Sequence, residues 1–153
     1  MTPLYGHSAV VAEFVSKMIP GSDRGFGAST AIGIIDDDGK LVAGLVYHNW
    51  YPEHGVIEMS VGAISKRWMT RTVLRAIFAY PFDDLDCQLV VFRVAPADKP
   101  LRRILKAFGA TERVIPRLRG RNEAEVIITL ADDAWNNSKF ARNPDGQENP
   151  QGA

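Results

Sequence analysis

The chain is short of sulfur and of net charge. Its 153 residues include a single cysteine, Cys87, and 18 basic side chains are matched by 18 acidic ones. A lone cysteine cannot close an intrachain disulfide. Balanced charge supplies no global field to draw the protein onto nucleic acid or an anionic membrane, so any anion binding has to be local. Apolar runs are short as well, and none approaches the roughly 18 to 20 residues that a membrane-spanning helix needs. The first residues lack a basic segment followed by an apolar secretion core. Together these absences lead to the expectation of a cytoplasmic protein that enters no membrane. What is present is an ordinary globular mixture, 46% hydrophobic and 24% charged, in a length that fits one domain.

Periodicity divides the chain into alternating elements. Val10, Val11, Phe14, Val15 and Met18 recur at helical spacing over residues 8–19, and Pro20-Gly21 ends the run. Residues 29–35 and 41–51 are rich in β-formers and flank Asp36-Asp37-Asp38-Gly39-Lys40, which predicts a hairpin with a solvated turn rather than a metal loop. A strand over 55–62 places Glu58 and Ser60 on one face, with Ile57, Met59 and Val61 on the other. Met69, Val73, Leu74, Ile77 and Phe78 form the apolar side of a second helix, stopped by Pro81. Residues 88–94 have the near-continuous apolar character of a central strand covered on both faces. Asp98 is placed to cap a helix with Pro100 in its first turn and Gly109 at its end. A last strand follows over 124–130, after the basic loop 117–121. The sum is a single-domain α/β sandwich over residues 1–135, a mixed sheet flanked by helices. Residues 136–153, rich in Asn, Pro, Gly and Gln, are expected to form a poorly ordered polar tail.

A strand that runs into a basic turn and then an amphipathic helix occupies residues 56–74. In this segment the sequence resembles the GNAT acetyltransferase superfamily. The similarity continues through the next strand and the helix of residues 98–110, about two-thirds of the chain in all. It implies a mostly antiparallel GNAT sheet, N-acetyltransferase activity and acetyl-CoA, or another acyl-CoA, as cosubstrate. The family's pyrophosphate loop falls on residues 65–70, with backbone amides from Arg67 to Thr72 facing the phosphates at a helix amino terminus. Lys66, Arg67 and Arg71 add positive charge there. Trp68 and Thr70, flanking Met69, stand where the family has small residues. The family's pantetheine strand falls on Ser60, Val61 and Gly62, where the backbone pairs with the cofactor as an added strand would and glycine permits a close approach. The family's Asn, on a helix that ends in Gly-Phe, corresponds to Asp98, which the resemblance places among the cofactor-binding residues, with Gly109-Ala110 at the Gly-Phe pair.

Acylation of an amine requires the ammonium to lose a proton before nitrogen attacks a thioester. Glu58, in an otherwise apolar strand, is the candidate general base, at a position where some GNAT enzymes place a glutamate. The leaving thiolate takes a proton that the family frequently draws from a tyrosine, and that position reads Leu105. Ser60 and Tyr47 are weaker substitutes. His48, Trp50, Tyr51 and His54 form a cluster suited either to an acceptor pocket or to packing at a hairpin end. No set of ligands at fixed spacing suggests a metal, and Cys87 reads as a small buried residue rather than a nucleophile.

The acceptor is expected to be an amine on a small molecule or a peptide, with a homodimer compatible with the chain. By resemblance, residues 112–119 with the last strand and Trp135 look like the branch that acetylates protein amino termini or polyamines. Arg113, Arg117, Arg119 and Arg121 would repel a polyamine, however, and suit an acidic or phosphate-bearing acceptor. Two alternatives compete with the enzyme: a non-catalytic acyl-CoA-binding or regulatory module, suggested by the missing tyrosine and altered loop, and a nucleic-acid modifier, against which neutral charge weighs.

Overall fold

The computed structural model describes residues 1–142, so residues 143–153 of the tail expected over 136–153 lie outside the described residues. Seven strands form one sheet in the order β1-β2-β3-β4-β5-β7-β6. They are β1 (Thr2–Leu4), β2 (Ser29–Ile35), β3 (Leu41–Tyr51), β4 (Val56–Ala63), β5 (Leu89–Val94), β6 (Thr111–Gly120) and β7 (Glu123–Ala131). Every pairing is antiparallel except β4 with β5, which run parallel. The helices are α1 (Ser8–Ser16), α2 (Arg71–Ala79), α3 (Lys99–Ala107) and α4 (Asp132–Asn137).

The hairpin β2–β3 closes through an Asx turn, where Asp36 Oδ1 accepts from the amides of Asp38 at 3.0 Å and Lys40 at 2.9 Å. That carboxylate is thereby committed to the turn. Asp98 caps α3 through the Leu101 amide, and Gly109 leaves the helix at φ 104°, a left-handed conformation that favours glycine. Arg102 forks onto both carboxylate oxygens of Glu112, each at 3.0 Å, and ties α3 to β6. Pro81 does not simply stop the second helix. α2 passes into a π-helical turn, Tyr80–Asp84, that contains the proline and buries Pro81 and Phe82.

Alternation along the strands divides the side chains between two faces. Ile57, Met59, Phe92, Ile128 and Leu130 point to one, where α2, α3 and α4 bring Val73, Leu74, Ile77, Phe78, Leu105, Phe108 and Trp135 into a continuous core. Phe78 is its centre, with ring centroids 4.4 Å from Trp135 and 5.7 Å from Phe108. The opposite face is covered only over β2, β3 and β4, where α1 packs Val11 and Val15 against Ala31 and Val46.

A row of three glycines seats that helix. Gly33 pairs with Gly44, and Gly44 with Gly62. A Cβ at Gly44 would lie 2.6 Å from Val15 and 2.7 Å from Val11, and one at Gly62 would lie 3.2 Å from Val15 and Met18. The close approach that the missing Cβ of Gly62 permits in this structure is to α1.

Three elements differ from the sequence reading. β1 is a short edge strand, β6 replaces most of the expected basic loop, and α4 buries Trp135 beyond the last strand. Residues 138–142 continue from α4 onto the protein, with Phe140 against Phe108 at 5.0 Å and the Lys139 carbonyl accepting from Arg71 at 3.0 Å.

Candidate active site

β4 and β5 run together only through the pairs Val56–Leu89, Ile57–Val90 and Glu58–Val91. Beyond Glu58, β4 stays with β3 while β5 stays with β7, so the two strands part. A cleft of about 760 Å³ opens there, lined on the β4 side by Glu58, Met59, Ser60 and Val61 and on the other by residues 92–95, Asp98 and Leu101. The β4 edge that faces β5 has lost its strand partner, and its backbone donors and acceptors look into the opening.

Four polar side chains meet at the apex. Glu58 is in register with His48 on β3, so both project to the α1 face, and Ser60 follows one pleat later. His48 Nε2 is 2.8 Å from Ser60 Oγ and 3.5 Å from Glu58 Oε2. The Asn49 amide nitrogen is 3.0 Å from Glu58 Oε1 and 3.3 Å from His48 Nδ1. A carboxylate only accepts, which fixes that nitrogen towards Glu58 and makes Nδ1 an acceptor. The ring proton then sits on Nε2, donated to Ser60 Oγ. Ser60 Oγ is then an acceptor in this contact, and its own hydroxyl proton is not used in it. Burial lowers the pKa of His48, with the Glu58 charge opposing, so the ring is held neutral. Phe26 packs against it with centroids 5.0 Å apart.

Asn49 reaches both groups because its backbone is left-handed, at φ 50°, where β3 slips register against β4 between His48 and Tyr51. A non-glycine residue there is strained, and the network at the apex holds it. Sequence alone pointed to the histidine and the glutamate but not to this asparagine, since the bulge that turns it inward has no local signature.

The remaining candidates fall in distinct places. Tyr47 points to the other face, fully buried, and donates its hydroxyl to the Ile77 carbonyl. Burial raises its pKa well above the ordinary phenol value, with Tyr5 and Tyr80 adding to the effect. It is structural and no proton donor to the cleft. Leu105 is packed in the core. Cys87 is buried, and burial pushes its thiol pKa up, against a hydrogen bond from Trp50. Trp50 and Tyr51 line a second cavity of about 520 Å³ with Tyr47, His48 and Asn49, while His54 is not part of its wall.

Residues 65–72 form a capped turn outside the cleft lining. Lys66–Trp68 make one 3-10 turn, started by Ser65, whose hydroxyl accepts from the Arg67 amide. Trp68 points into the core, 6% exposed, with Met69 partly buried against it, so the tryptophan leaves the surface clear. Thr70 caps α2 through the Val73 amide, and its own amide bonds to the Trp68 carbonyl. Helix geometry leaves the Arg71 and Thr72 amides without intrahelical acceptors. Lys66 and Arg67 are exposed beside them. Arg71 is committed elsewhere, its guanidinium turned to the carbonyl of Lys139, while Arg75 holds that of Arg142 at 2.7 Å. Among the described residues no group of His, Cys, Asp and Glu is placed to hold a metal, and no helix is long and apolar enough to cross a membrane.

No protein-family model matches the chain, and no curated protein matches it in sequence. Solved structures do resemble it. The chain has the fold of the GCN5-related N-acetyltransferases, a seven-stranded, mostly antiparallel sheet that parts between β4 and β5. A chimeric spermidine N-acetyltransferase from Vibrio cholerae aligns at TM-score 0.68 and 11% identity over 88% of this chain and 97% of that one. A GCN5-related N-acetyltransferase from Brucella melitensis aligns at TM-score 0.60 and 21% identity over 78% of this chain and 62% of that one. A ribosomal-protein-S5-alanine acetyltransferase from Vibrio fischeri aligns at TM-score 0.59 and 12% identity, over 70% of this chain and 63% of that one. The chain thus spans somewhat under two-thirds of the last two.

Proposed function

We propose that the protein is an acyl-CoA-dependent N-acyltransferase that moves an acetyl group from acetyl-CoA directly to a primary amine. The observation that carries this reading is the meeting of an opened β4 edge with the Glu58–His48–Asn49–Ser60 network at one apex. The open backbone of Ser60, Val61 and Gly62 suits the amide-rich pantetheine arm, which pairs as a strand would. The Arg71 and Thr72 amides, with Lys66 and Arg67, suit the pyrophosphate, and Asp98 borders the far side of the cleft.

In this reading Glu58 takes a proton from the acceptor's ammonium, and the neutral nitrogen attacks the thioester carbonyl. The carbon–sulfur bond breaks, the nitrogen gives up its second proton, and the leaving sulfur gains one. Ser60, whose oxygen accepts from His48 Nε2, is the candidate to relay it, giving its own hydroxyl proton to the sulfur and taking up the second proton from the nitrogen. Asn49 holds Glu58 and His48 in position without touching either substrate.

Thiol release from acetyl-CoA, measured with and without a panel of primary amines, tests the assignment. Amine-dependent release with formation of the amide is the expected result. Calorimetric binding of acetyl-CoA without turnover of any amine would favour the regulatory module that the capped loop and the absent tyrosine also suit. No binding at all would remove the cosubstrate.

A further inference from the structure

The cleft contains a second charged group, on the same sheet face as Glu58. Glu125 on β7 is 3% exposed. Both its oxygens are taken by arginines: Arg93 Nε on β5 donates to one, and Arg119 Nη1 on β6 to the other at 2.7 Å. All three residues line the cleft. A guanidinium offers five N–H donors, and Glu125 is the one acceptor that each of these two meets among the described residues. Their side chains stay 47% and 26% exposed. The unit carries a net charge of +1 and presents its unused donors to the opening.

Two further carboxylates line the cleft and keep their charge, Asp98, whose Oδ1 caps α3, and Glu123, exposed opposite Gly120 in the β6–β7 turn, but neither is bonded to Arg93 or Arg119 among the described residues. Of the basic residues 113–121 that stood out in the sequence, Arg119 alone is in the cleft lining, and its partner Arg93 lay hidden in an apolar strand. The positive charge of the cleft is therefore local, confined to Arg93 and Arg119, while Glu58 stands at the apex. Glu58 is level with Val91, and Arg93 lies two residues further along β5, about 7 Å at the rise of a strand.

Resting on the N-acyltransferase reading, we propose that Arg93 and Arg119 form an anion subsite, held rigid by Glu125, and that the acceptor is an amine carrying an anionic group several bonds away. The ammonium goes to Glu58 and the anion to the guanidinium edges, where paired N–H donors match a carboxylate. A polyamine, with a second cation where the arginines stand, is disfavoured.

The test uses ω-amino acids of increasing length, each beside its carboxamide, with an aminoalkyl phosphate and spermidine. Thiol-release kinetics and calorimetry without acetyl-CoA are run in parallel on the full chain. Each acid should show a KM about 10-fold or more below that of its amide. That ratio should fall to near unity in Arg93→Gln and Arg119→Gln, with the KM for acetyl-CoA unchanged. Arg93→Lys, which keeps a charge beside Glu125 but loses the planar fork, covers the case in which the Gln variants do not fold. A phosphate preferred over a carboxylate supports the subsite and names its anion. Equal use of acid and amide, a preference that survives in folded arginine variants, spermidine as the best acceptor, or a raised KM for acetyl-CoA alone overturns it. The two readings fail separately: arginine-dependent acid binding without thiol release removes the transferase, and release without acid preference removes the subsite.

Discussion

On the α2 face of the sheet, alternate side chains of β4, β5 and β7 meet three helices and close into an apolar core around Phe78. On the α1 face the same strands carry Glu58, Ser60, Arg93 and Glu125, and a single helix covers only the β2–β4 half. The alternation is the same, but the cover differs. Where helices shield both ends of the strands, burial selects apolar side chains. Where α1 stops short, charged residues stay half-wetted and pair with one another, and the cleft forms at the boundary. Stability and the proposed chemistry thus fall on opposite faces of one sheet, and substitutions on the two should have separable effects.

The largest effect is expected on the packed face. Phe78→Ala removes a fully buried ring that touches Phe82, Phe108 and Trp135. It should cost about 3–5 kcal/mol of stability, read by denaturant unfolding. Acetyl transfer per folded molecule should stay close to wild type. A loss below about 1 kcal/mol, the scale of volume-conserving swaps, would mean that the core repacks and that the contrast between the faces is weaker than drawn.

Glu58→Gln makes the reciprocal case. The amide keeps the shape and its contact with Asn49 but takes up no proton. Folded protein should bind acetyl-CoA normally and lose about 10²-fold in turnover at neutral pH. The defect should shrink as pH rises, because more of the acceptor is already neutral. Wild-type turnover across that range would show that water, not Glu58, removes the proton.

Much of this contrast was written in the sequence where local chemistry is strong. The hairpin strands are bounded by turn residues and come out over the predicted 29–35 and 41–51. α3 announces itself through Asp98, Pro100 and Gly109. Tertiary context decided the rest. β6 lacks apolar alternation, being exposed over most of its length with Pro116 within it, and only its ladder with β7 makes it a strand. Arg93 sits in an apolar run that reads as buried on both sides, yet its face of β5 looks into the cleft. Asn49 enters the site through a register slip, and Glu125 meets Arg119 only once the β6–β7 hairpin is closed. Glu58 and Ser60 were legible because period-two spacing alone puts them on one face. Their partners come from other strands, and sequence spacing carries no information on those.

The smallest expected effect is a pH dependence that belongs to the polar face. Burial lowers the pKa of His48, and Glu58 only partly opposes it. In the unfolded chain the imidazole takes up a proton near its ordinary value of about 6.5; in the folded protein it does so at lower pH. Between those two values the unfolded state binds more protons, so stability falls as pH drops through the window that begins near 6.5 and ends at the folded value. His48→Gln, which keeps an N–H donor for Ser60 but cannot titrate, should flatten the melting-temperature profile in that window. Phe78→Ala should melt lower at every pH with the wild-type slope, because it removes apolar contacts and leaves every titrating group in place. Parallel profiles for His48→Gln and wild type between about pH 5 and 7 would show that the imidazole titrates alike folded and unfolded. The lowering of the His48 pKa by burial would then have to be abandoned.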